Sequence, residues 1–535
     1  MKLKSQASKE KLRGGFYTPI PIAEFILKWG TKSINNAKIL EPSCGDGNFL
    51  KSLQNLNLNY GSITAIEFDE IEFNKAKKIE LENSSVINTD FHKFCINTKD
   101  KYDLIVGNPP YIRYQFFEKE QQELAEMIYS NSNLKYSKLA NAWVSFVVGS
   151  TQLLNKEGKI GFVLPAEILQ VSYAKQLRLF LAKEYNKINI ISFKKLVFED
   201  IQQEVVLLLC EKDLTNEHKI DHIELNDAKD LIDIDLESLE TPQKRIDFNS
   251  NKWTYYFLEQ EEIDFLENIA KKRGLKSLGE FAKVEVGITT GANPYFTISK
   301  DVVNDYALSN YCVPMVGRSV QVSSAIFTYN DWLKNFENIK VKSSLIAFPE
   351  VNEKELEVGA QEYIKFGVDN EINKGYKTSI RKFWYCIPSL RTSDALFIRR
   401  NNIYPKLIIN SANAYTTDTM HRVTILEGVS INALVASYYN SLSFAFAEVS
   451  GRSHGGGVLE LMPNEAENIL LPYNKENESL ISEIDKMIRD GIEIQDLLNY
   501  TNNITLKYRF GFTDKEIEIA NNIWIKLRDR RLNRN

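Results

Sequence analysis

The sequence contains little cysteine, glycine and proline, and it lacks long apolar runs. No apolar stretch approaches the roughly 18 residues that a membrane-spanning helix requires, which excludes a membrane span. No apolar stretch follows the basic N-terminus, so we do not expect a signal peptide. The five cysteines form no CxxC pair and the five histidines have no ligand spacing, which argues against a metal site or a disulfide framework. We therefore expect a cytoplasmic protein without a resident metal.

The overall charge does not exclude a nucleic-acid partner. The net charge is −5, but residues 211–240 hold eleven Asp or Glu and three Lys, which leaves +3 for the rest of the chain. We expect this acidic segment to be a solvated linker face. Hydrophobic residues are 43% and charged residues 26% of the chain, as in a globular protein.

The first part of the chain alternates short apolar segments with helical patterns, which predicts a parallel sheet with helices on both faces. The candidate strands are AKILE (37–41), SITAIEF (62–68), SVINTD (85–90), YDLIVG (102–107), KIGFVLP (159–165), INIISF (188–193) and EVVLLLC (204–210). After residue 253 the pattern changes to short β-branched and aromatic segments between turns. We expect a first domain over 1–245, a mixed, strand-rich domain over 246–473, and a helical extension over 474–535.

Three acidic or glycine-rich positions follow successive predicted strands. The first strand ends at Glu41 and is followed by a loop with Gly45 and Gly47. Glu67 ends the second strand, at the distance where a carboxylate accepts hydrogen bonds from ribose hydroxyls, and Asp90 ends the third. Any one of these acids is more often a helix cap or a solvated loop residue. Three in register indicate an adenosine-containing cofactor.

The fourth strand leads directly into Asn108, Pro109, Pro110 and Tyr111. The two prolines fix the backbone, so the Asn108 side-chain oxygen and the Pro109 carbonyl can face one ligand amino group. Tyr111 adds a flat aromatic surface. The alternative is a proline-kinked strand exit with a packed tyrosine. The position at a strand end favours a site for a planar, amino-bearing substrate such as adenine.

These motifs resemble those of class I S-adenosylmethionine-dependent amino-methyltransferases. With GGFYTPIPIAEFI (14–26) before the glycine loop, they resemble N6-adenine DNA methyltransferases of the gamma arrangement, as in type II restriction–modification methylases. The resemblance implies a seven-stranded α/β sheet and S-adenosylmethionine as the methyl donor. The expected cofactor-binding residues are Tyr17, Thr18, Pro19, Glu41, Ser43, Cys44, Gly45, Gly47, Glu67, Asp90 and Phe91. The expected catalytic residues are Asn108, Pro109, Pro110, Tyr111 and, in the segment 197–209, Phe198, which is otherwise a core or covering phenylalanine.

The second half resembles the target recognition domains of such methylases. The similar segments are VEVGITTGANPYFTI (284–298), VPMVGRSV (313–320), YTTDTMHRV (415–423) and HGGGVLELMPNEAENILLP (454–472). Arginines reading guanine are the commonest specific contacts. Arg318, Arg391 and Arg452 are candidates, although a surface arginine is more often solvated.

The resemblance implies methyl transfer to N6 of an adenine flipped out of duplex DNA. The expected protein is a monomer that binds double-stranded DNA, and any cognate restriction endonuclease would act separately. Two enzymatic alternatives are methylation of structured RNA and of a protein glutamine, the latter disfavoured by the long second domain. A third is an inactive methylase-like DNA-binding subunit, disfavoured because every motif residue is intact.

Overall fold

The computed structural model describes residues 17–137, 140–198, 204–248, 252–454 and 456–533. These residues form two compact units, one ending at Ile263 and the other running from Asp264 to Asn533. The basic N-terminus, residues 199–203 of the segment that contains Phe198, and Gly455 of the glycine triplet lie outside the described residues. None of the described helices is both long and apolar enough to span a membrane.

The first unit is an α/β layer structure around one sheet. Its strands are β1 (Lys38–Glu41), β2 (Ser62–Glu67), β3 (Ser84–Asn88), β4 (Tyr102–Gly107), β5 (Leu154–Pro165), β6 (Lys187–Phe193), β7 (Val205–Glu211), β8 (Lys219–Leu225) and β9 (Lys244–Arg245). Its helices are α1 (Ile20–Thr31), α2 (Asn48–Leu56), α3 (Glu70–Ala76), α4 (Phe91–Asn97), α5 (Lys119–Asn131), α6 (Ala142–Leu153) and α7 (Lys175–Glu184).

The strand order is β3-β2-β1-β4-β5-β7-β6-β8-β9. β1 to β5 are parallel, and β7 runs antiparallel between β5 and β6. All seven predicted strands are present, but the expected total of seven is wrong because the sheet has nine. The acidic segment supplies β8, which pairs in parallel with β6 and keeps only Ile220 fully buried. The sequence did not predict this strand, because its charged residues resemble those of a solvated loop. They are compatible with a strand near the sheet edge, where side chains reach water.

The second unit mixes helices with four small sheets, in agreement with the expected strand-rich texture and helical tail. Its strands are β10 (Lys276–Ser277), β11 (Ala282–Val286), β12 (Thr297–Ile298), β13 (Cys312–Val316), β14 (Ser344–Ile346), β15 (Ala395–Ile398), β16 (Arg400–Asn401), β17 (Leu407–Ile409), β18 (Tyr415–Thr416), β19 (Met420–Ile425), β20 (Arg452–His454), β21 (Val458–Glu460) and β22 (Leu470–Leu471). The sheets are β11-β19-β15-β17, β12-β14-β13-β18, β16-β21-β20 and the pair β10-β22.

The helices of this part are α8 (Gln260–Arg273), α9 (Asn293–Phe296), α10 (Lys300–Asp305), α11 (Tyr329–Glu337), α12 (Val358–Asp369), α13 (Tyr376–Ser379), α14 (Ile431–Tyr438), α15 (Ser441–Ser450), α16 (Pro463–Glu467), α17 (Ile481–Arg489), α18 (Ile494–Thr501), a π-helix (Asn502–Arg509) and α19 (Asp514–Leu532). The last helix packs on α15, where the buried Arg531 guanidinium donates to the Glu448 carboxylate at 2.7 Å.

Candidate active site

The loop between β1 and α2 depends on glycine at two positions. Gly45 and Gly47 have φ of +53° and +87°, in the left-handed region that favours glycine. A Cβ on Gly47 would lie 2.4 Å from the Ile79 side chain, and one on Gly45 would lie 3.2 Å from the ring of Tyr17. The loop therefore packs closely against Ile79 and Tyr17, and a side chain at either glycine would not fit without a shift.

The Glu67 carboxylate holds this loop in place. Its Oε2 accepts from the Gly45 amide at 2.8 Å and its Oε1 from the Asp69 amide at 2.7 Å. Burial raises the pKa of Glu67, although the backbone donors oppose this shift. Each carboxylate oxygen can accept a second hydrogen bond, so Glu67 can still receive ribose hydroxyls. The sequence predicted the ribose contact but not the support of the loop.

Glu41 is a buried carboxylate whose hydrogen bonding is incomplete. It is 1% exposed, and its Oε2 has no hydrogen-bond partner in the described part of the chain. Burial and the negative charges of Glu67 and Asp46 raise the pKa of Glu41 well above its ordinary value. A buried charge without a donor is costly. A cationic ligand would supply the missing partner, and S-adenosylmethionine carries both an ammonium and a sulfonium group.

The segment before α1 packs against the glycine loop. The Asn48 side-chain amide donates to the Thr18 carbonyl at 3.0 Å, and Pro19 directly precedes α1. Thr18 is buried, and its hydroxyl lacks a partner among the described residues. Partial burial and the carboxylate of Glu72 raise the pKa of the Tyr17 phenol. The structure therefore brings the predicted Tyr-Thr-Pro segment to the predicted cofactor loop.

Asp90 caps helix α4. Its Oδ1 accepts from the His92 amide at 2.8 Å, and its Oδ2 accepts from the Gln121 side chain at 2.9 Å. Burial alone would raise the pKa of Asp90, but the hydrogen bonds from His92 and Gln121 lower it overall. An adenine amino group would have to share Oδ2 with Gln121. The Phe91 side chain is buried and stacks on Phe146, so only its backbone faces a possible ligand.

Phe68 is a candidate that the sequence analysis missed. It follows Glu67 directly and is 65% exposed, and Ile71 on α3 is also exposed. The Asn88 side-chain amide donates to the Glu67 carbonyl at 2.8 Å and to the Phe68 carbonyl at 3.2 Å, which fixes this strand end. An exposed aromatic ring next to a candidate ribose acceptor offers a surface for a purine. The signal was present in the sequence as the apolar residue after Glu67.

The Asn-Pro-Pro-Tyr segment lies beside the glycine loop. The Ser43 hydroxyl donates to the Asn108 carbonyl at 3.3 Å, which joins the segment after β4 to the loop after β1. The Tyr111 hydroxyl donates to the Val163 carbonyl at 3.1 Å, and its ring packs partly against the core. Burial raises the pKa of Tyr111 well above its ordinary value. The tyrosine is therefore neutral and fixed in position.

Phe198 packs in the hydrophobic core of the first unit, in the same cluster as Cys44 and Leu207. Tyr111 contacts this cluster from its edge. The ring of Phe198 therefore packs as a core residue, which was the alternative to a base-stacking role. Across the described ranges, no group of three or more His, Cys, Asp or Glu side chains could hold a metal ion.

Two family models match the chain in succession. Residues 29–198 match the Eco57I restriction-modification methylase, and residues 250–506 match the C-terminal domain of type II methyltransferase M.Eco57I. Type II methyltransferase M.AccI of Acinetobacter calcoaceticus is 26% identical over 526 residues, 89% of this chain and 93% of that protein. Type II methyltransferase M.HincII of Haemophilus influenzae is 32% identical over 239 residues, 43% of each protein. The cryo-EM structure of the DrdV–DNA complex has a TM-score of 0.47 and 13% identity, covering 90% of this chain and 57% of that one.

The sheet order with its antiparallel β7, and the glycine loop held by Glu67, define a class I S-adenosylmethionine-dependent methyltransferase fold. The chain belongs to the type II restriction–modification methylases.

Proposed function

We propose that this chain is a site-specific DNA methyltransferase that transfers a methyl group from S-adenosylmethionine to N6 of adenine in duplex DNA. Its role would be modification in a restriction–modification system. The observation that best supports this proposal is the hydrogen bond between Ser43 and Asn108, which holds the Asn-Pro-Pro-Tyr segment beside the acidic glycine loop. A methyl donor bound at the glycine loop and a substrate amine bound at the Asn-Pro-Pro-Tyr segment would therefore lie next to each other.

The cofactor residues would act through charge and shape. S-adenosylmethionine supplies an electrophilic methyl group on a positively charged sulfur. Glu41 presents a buried carboxylate to a cationic ligand, and Glu67 accepts ribose hydroxyls while it holds Gly45. The exposed ring of Phe68 would cover one face of the adenine. A nucleotide such as ATP would bring phosphates next to these carboxylates, so the local charge favours a cation.

The catalytic residues would act on the substrate amine. The lone pair of an adenine amino group is delocalised into the ring, which makes the group a poor nucleophile. The Asn108 side-chain oxygen and the Pro109 carbonyl accept its two N–H bonds and favour a tetrahedral nitrogen. The same acceptors stabilise the positive charge that develops on nitrogen. Positioning of the amine against the methyl group supplies much of the remaining rate enhancement.

A paired adenine does not expose its amino group, so the base would leave the duplex at a cost of a few kcal/mol. Stacking on an aromatic ring returns about 1–3 kcal/mol per base. Tyr111 would provide this surface, and the hydrogen bond of its hydroxyl to Val163 holds the ring in position. Phe198 would have to move out of the core cluster to cover the other face.

Two measurements test this proposal. Calorimetry with S-adenosylmethionine should show binding that Glu67→Ala weakens, and no binding to folded protein would refute the cofactor assignment. Labelled cofactor should then methylate duplex DNA, and sequencing should map the methyl group to adenine at one recurring site. Modification found only in RNA, only in protein glutamine, or on cytosine would refute the proposed substrate.

A further inference from the structure

The segments of the second unit that resemble recognition domains meet at one place. The segment 416–419 joins the loop 287–293, which we call the recognition loop, to the segment around residue 317. Three hydrogen bonds of 2.8 Å join them, namely the Ile288 amide to the Thr416 carbonyl, the Asn293 side-chain amide to Asp418, and the Thr419 hydroxyl to the Gly317 carbonyl. Sequence positions more than 100 residues apart therefore form one surface.

The recognition loop packs closely against Thr417, helix α13 and Arg381. A Cβ on Gly287 would lie 2.0 Å from the Thr417 carbonyl oxygen, and one on Gly291, which has φ of +82°, would lie 2.9 Å from the Cβ of Lys377. The Arg381 guanidinium donates to the Thr290 carbonyl at 2.6 Å and lies 5.5 Å from the Phe296 ring centre. Such a loop presents its surroundings in a fixed geometry.

Four cations lie on or near the recognition loop. We call Arg318, Lys342, Lys377 and Arg381 the basic face. None of the four forms a salt bridge with any residue in the described ranges. The Lys342 ammonium donates to the Pro294 carbonyl at 2.8 Å, next to the loop. Burial and the neighbouring charge of Arg318 lower the pKa of Lys342, so these two cations repel each other.

The other arginines of this unit that the sequence analysis singled out are neutralised within the protein. Arg391 pairs with Glu285, and Arg452 pairs with Glu465 at 2.9 Å. Of the three candidate arginines, only Arg318 keeps its charge uncompensated by a carboxylate of the described chain. The basic face therefore concentrates uncompensated positive charge where the recognition segments converge. Exposed apolar side chains lie next to it in sequence, with Val320 84% and Tyr376 82% exposed.

We propose that the basic face binds the sugar–phosphate backbone of duplex DNA and thereby sets the register of the recognition loop on its target. This inference rests on the proposed function and names residues that carry its DNA binding. Two adjacent cations, Arg318 and Lys342, suit one phosphate region, and Lys377, which packs against the loop at Gly291, suits another. Arg381 is a positioning residue, because its guanidinium is engaged with the loop backbone. Phosphate contacts of this kind fix orientation without reading sequence.

The test measures duplex binding by fluorescence anisotropy over a range of salt concentrations. The variants are Arg318→Gln, Lys342→Gln and Lys377→Gln, in the full chain. The matched control is Lys374→Gln, which removes the same charge from a lysine that pairs with Glu371 at 2.7 Å. Each basic-face variant should reduce the slope of log Kd against log salt by about 1, because one phosphate contact is lost. The loss should be equal for target and scrambled duplexes, while the affinity for S-adenosylmethionine stays at its wild-type value. The thermal midpoint should also stay unchanged for Arg318→Gln and Lys377→Gln, whereas Lys342→Gln also removes the hydrogen bond to Pro294.

The outcomes separate this inference from the proposed function. Wild-type protein that neither binds nor methylates duplex DNA would refute the proposed function and the inference together. Wild-type protein that methylates DNA, with basic-face variants whose slopes equal that of Lys374→Gln, would overturn the basic face alone. A slope change seen only with structured RNA, or only with the target sequence, would also overturn it, because the contacts would then not be to the DNA backbone.

Discussion

Glu41 provides the sharpest test of how the cofactor site works. Replacing it by glutamine keeps the shape of the side chain and removes its charge. In the absence of ligand at neutral pH, Glu41→Gln should stabilise the protein. The wild-type chain must, on folding, either bury an ionised and incompletely hydrogen-bonded carboxylate beside Glu67 and Asp46 or take up a proton on it, and glutamine needs neither. In the presence of S-adenosylmethionine the same change should weaken binding, because the cation loses its charged partner.

The expected magnitudes follow from the burial of this group. An unsatisfied buried polar group costs about 1–3 kcal/mol, and an unsatisfied buried charge costs more. Because glutamine still leaves an amide unsatisfied, Glu41→Gln should raise the free energy of unfolding by only about 1–2 kcal/mol. For a unit of this size, each kcal/mol raises the melting midpoint by about 2–4 °C. A hydrogen bond to a charged group contributes about 1.5–3 kcal/mol, so the affinity for S-adenosylmethionine should fall about 10- to 100-fold. The affinity for adenosine, which carries no cation, should not change.

The gain in stability should depend on pH with a defined sign. The pKa of Glu41 in the folded protein lies above its ordinary value of 4.5, so the folded state holds this proton more tightly than the unfolded chain does. The wild-type protein therefore loses stability as the pH rises above about 4.5. Glutamine does not titrate, so the advantage of the variant should be absent near pH 4.5 and grow toward neutral pH.

The assay is thermal unfolding of both proteins between pH 4.5 and 8, with and without S-adenosylmethionine. Glu67→Ala serves as a contrast, because it removes the acceptor of the Gly45 and Asp69 amides and should lower both stability and affinity. A Glu41→Gln protein that is less stable than wild type without ligand, or that binds S-adenosylmethionine with unchanged affinity, would show that the buried carboxylate is structural.

Three further outcomes are expected. Asn108→Ala should lower kcat by at least about 100-fold with cofactor and DNA affinities within several-fold of wild type, because its acceptor acts mainly in the transition state; a variant with wild-type turnover would refute its role. Tyr111→Ala should weaken both turnover and retention of the flipped base, reported by 2-aminopurine fluorescence, whereas Tyr111→Phe, which loses only the hydrogen bond to Val163, should be mild; equal losses would refute stacking. Burial alone would raise the pKa of Asp331, but the Arg489 guanidinium at 2.7 Å lowers this pKa to about 2. Asp331→Asn should therefore lower the free energy of unfolding by about 1–2 kcal/mol at pH 6 and by less at pH 3, as measured by urea unfolding. A loss that does not depend on pH would contradict the ion pair.

The sequence predicted the first sheet well because buried strands are short apolar runs. The fourth strand has the predicted bounds, Tyr102–Gly107, and the other six differ by a few residues. The eighth strand was missed because Lys219–Leu225 alternates apolar and charged residues inside an acidic segment, a pattern shared by edge strands and solvated loops. Only the pairing with β6 distinguishes the two, and this pairing is not visible in the local sequence.

The sequence also predicts that the candidate residues lie near one another, because strand ends of one parallel sheet share an edge. It could not show how the side chains divide their hydrogen bonds. Asp90 was predicted as a cofactor contact, and in the structure it caps α4 and accepts from Gln121, a residue 31 positions away. Arg391 and Arg452 looked equivalent to Arg318, and only their pairing with Glu285 and Glu465 separates them. Long-range partners of this kind depend on the fold.

The electron-rich groups of the candidate site suit the proposed reaction, which would move a positive charge without creating one. In the proposed transfer, the charge begins on the sulfur of the cofactor and ends on the nitrogen of the substrate. Glu41 and Glu67 lie at the glycine loop, on the side of the donor, and the Asn108 side chain and the Pro109 carbonyl follow β4, on the side of the amine. Since both ends present electron-rich groups, the charge is stabilised along its whole path, and no proton has to leave the amine before the methyl group arrives. The rate should therefore depend more on the alignment of the two ends, joined by the Ser43–Asn108 hydrogen bond, than on a general base.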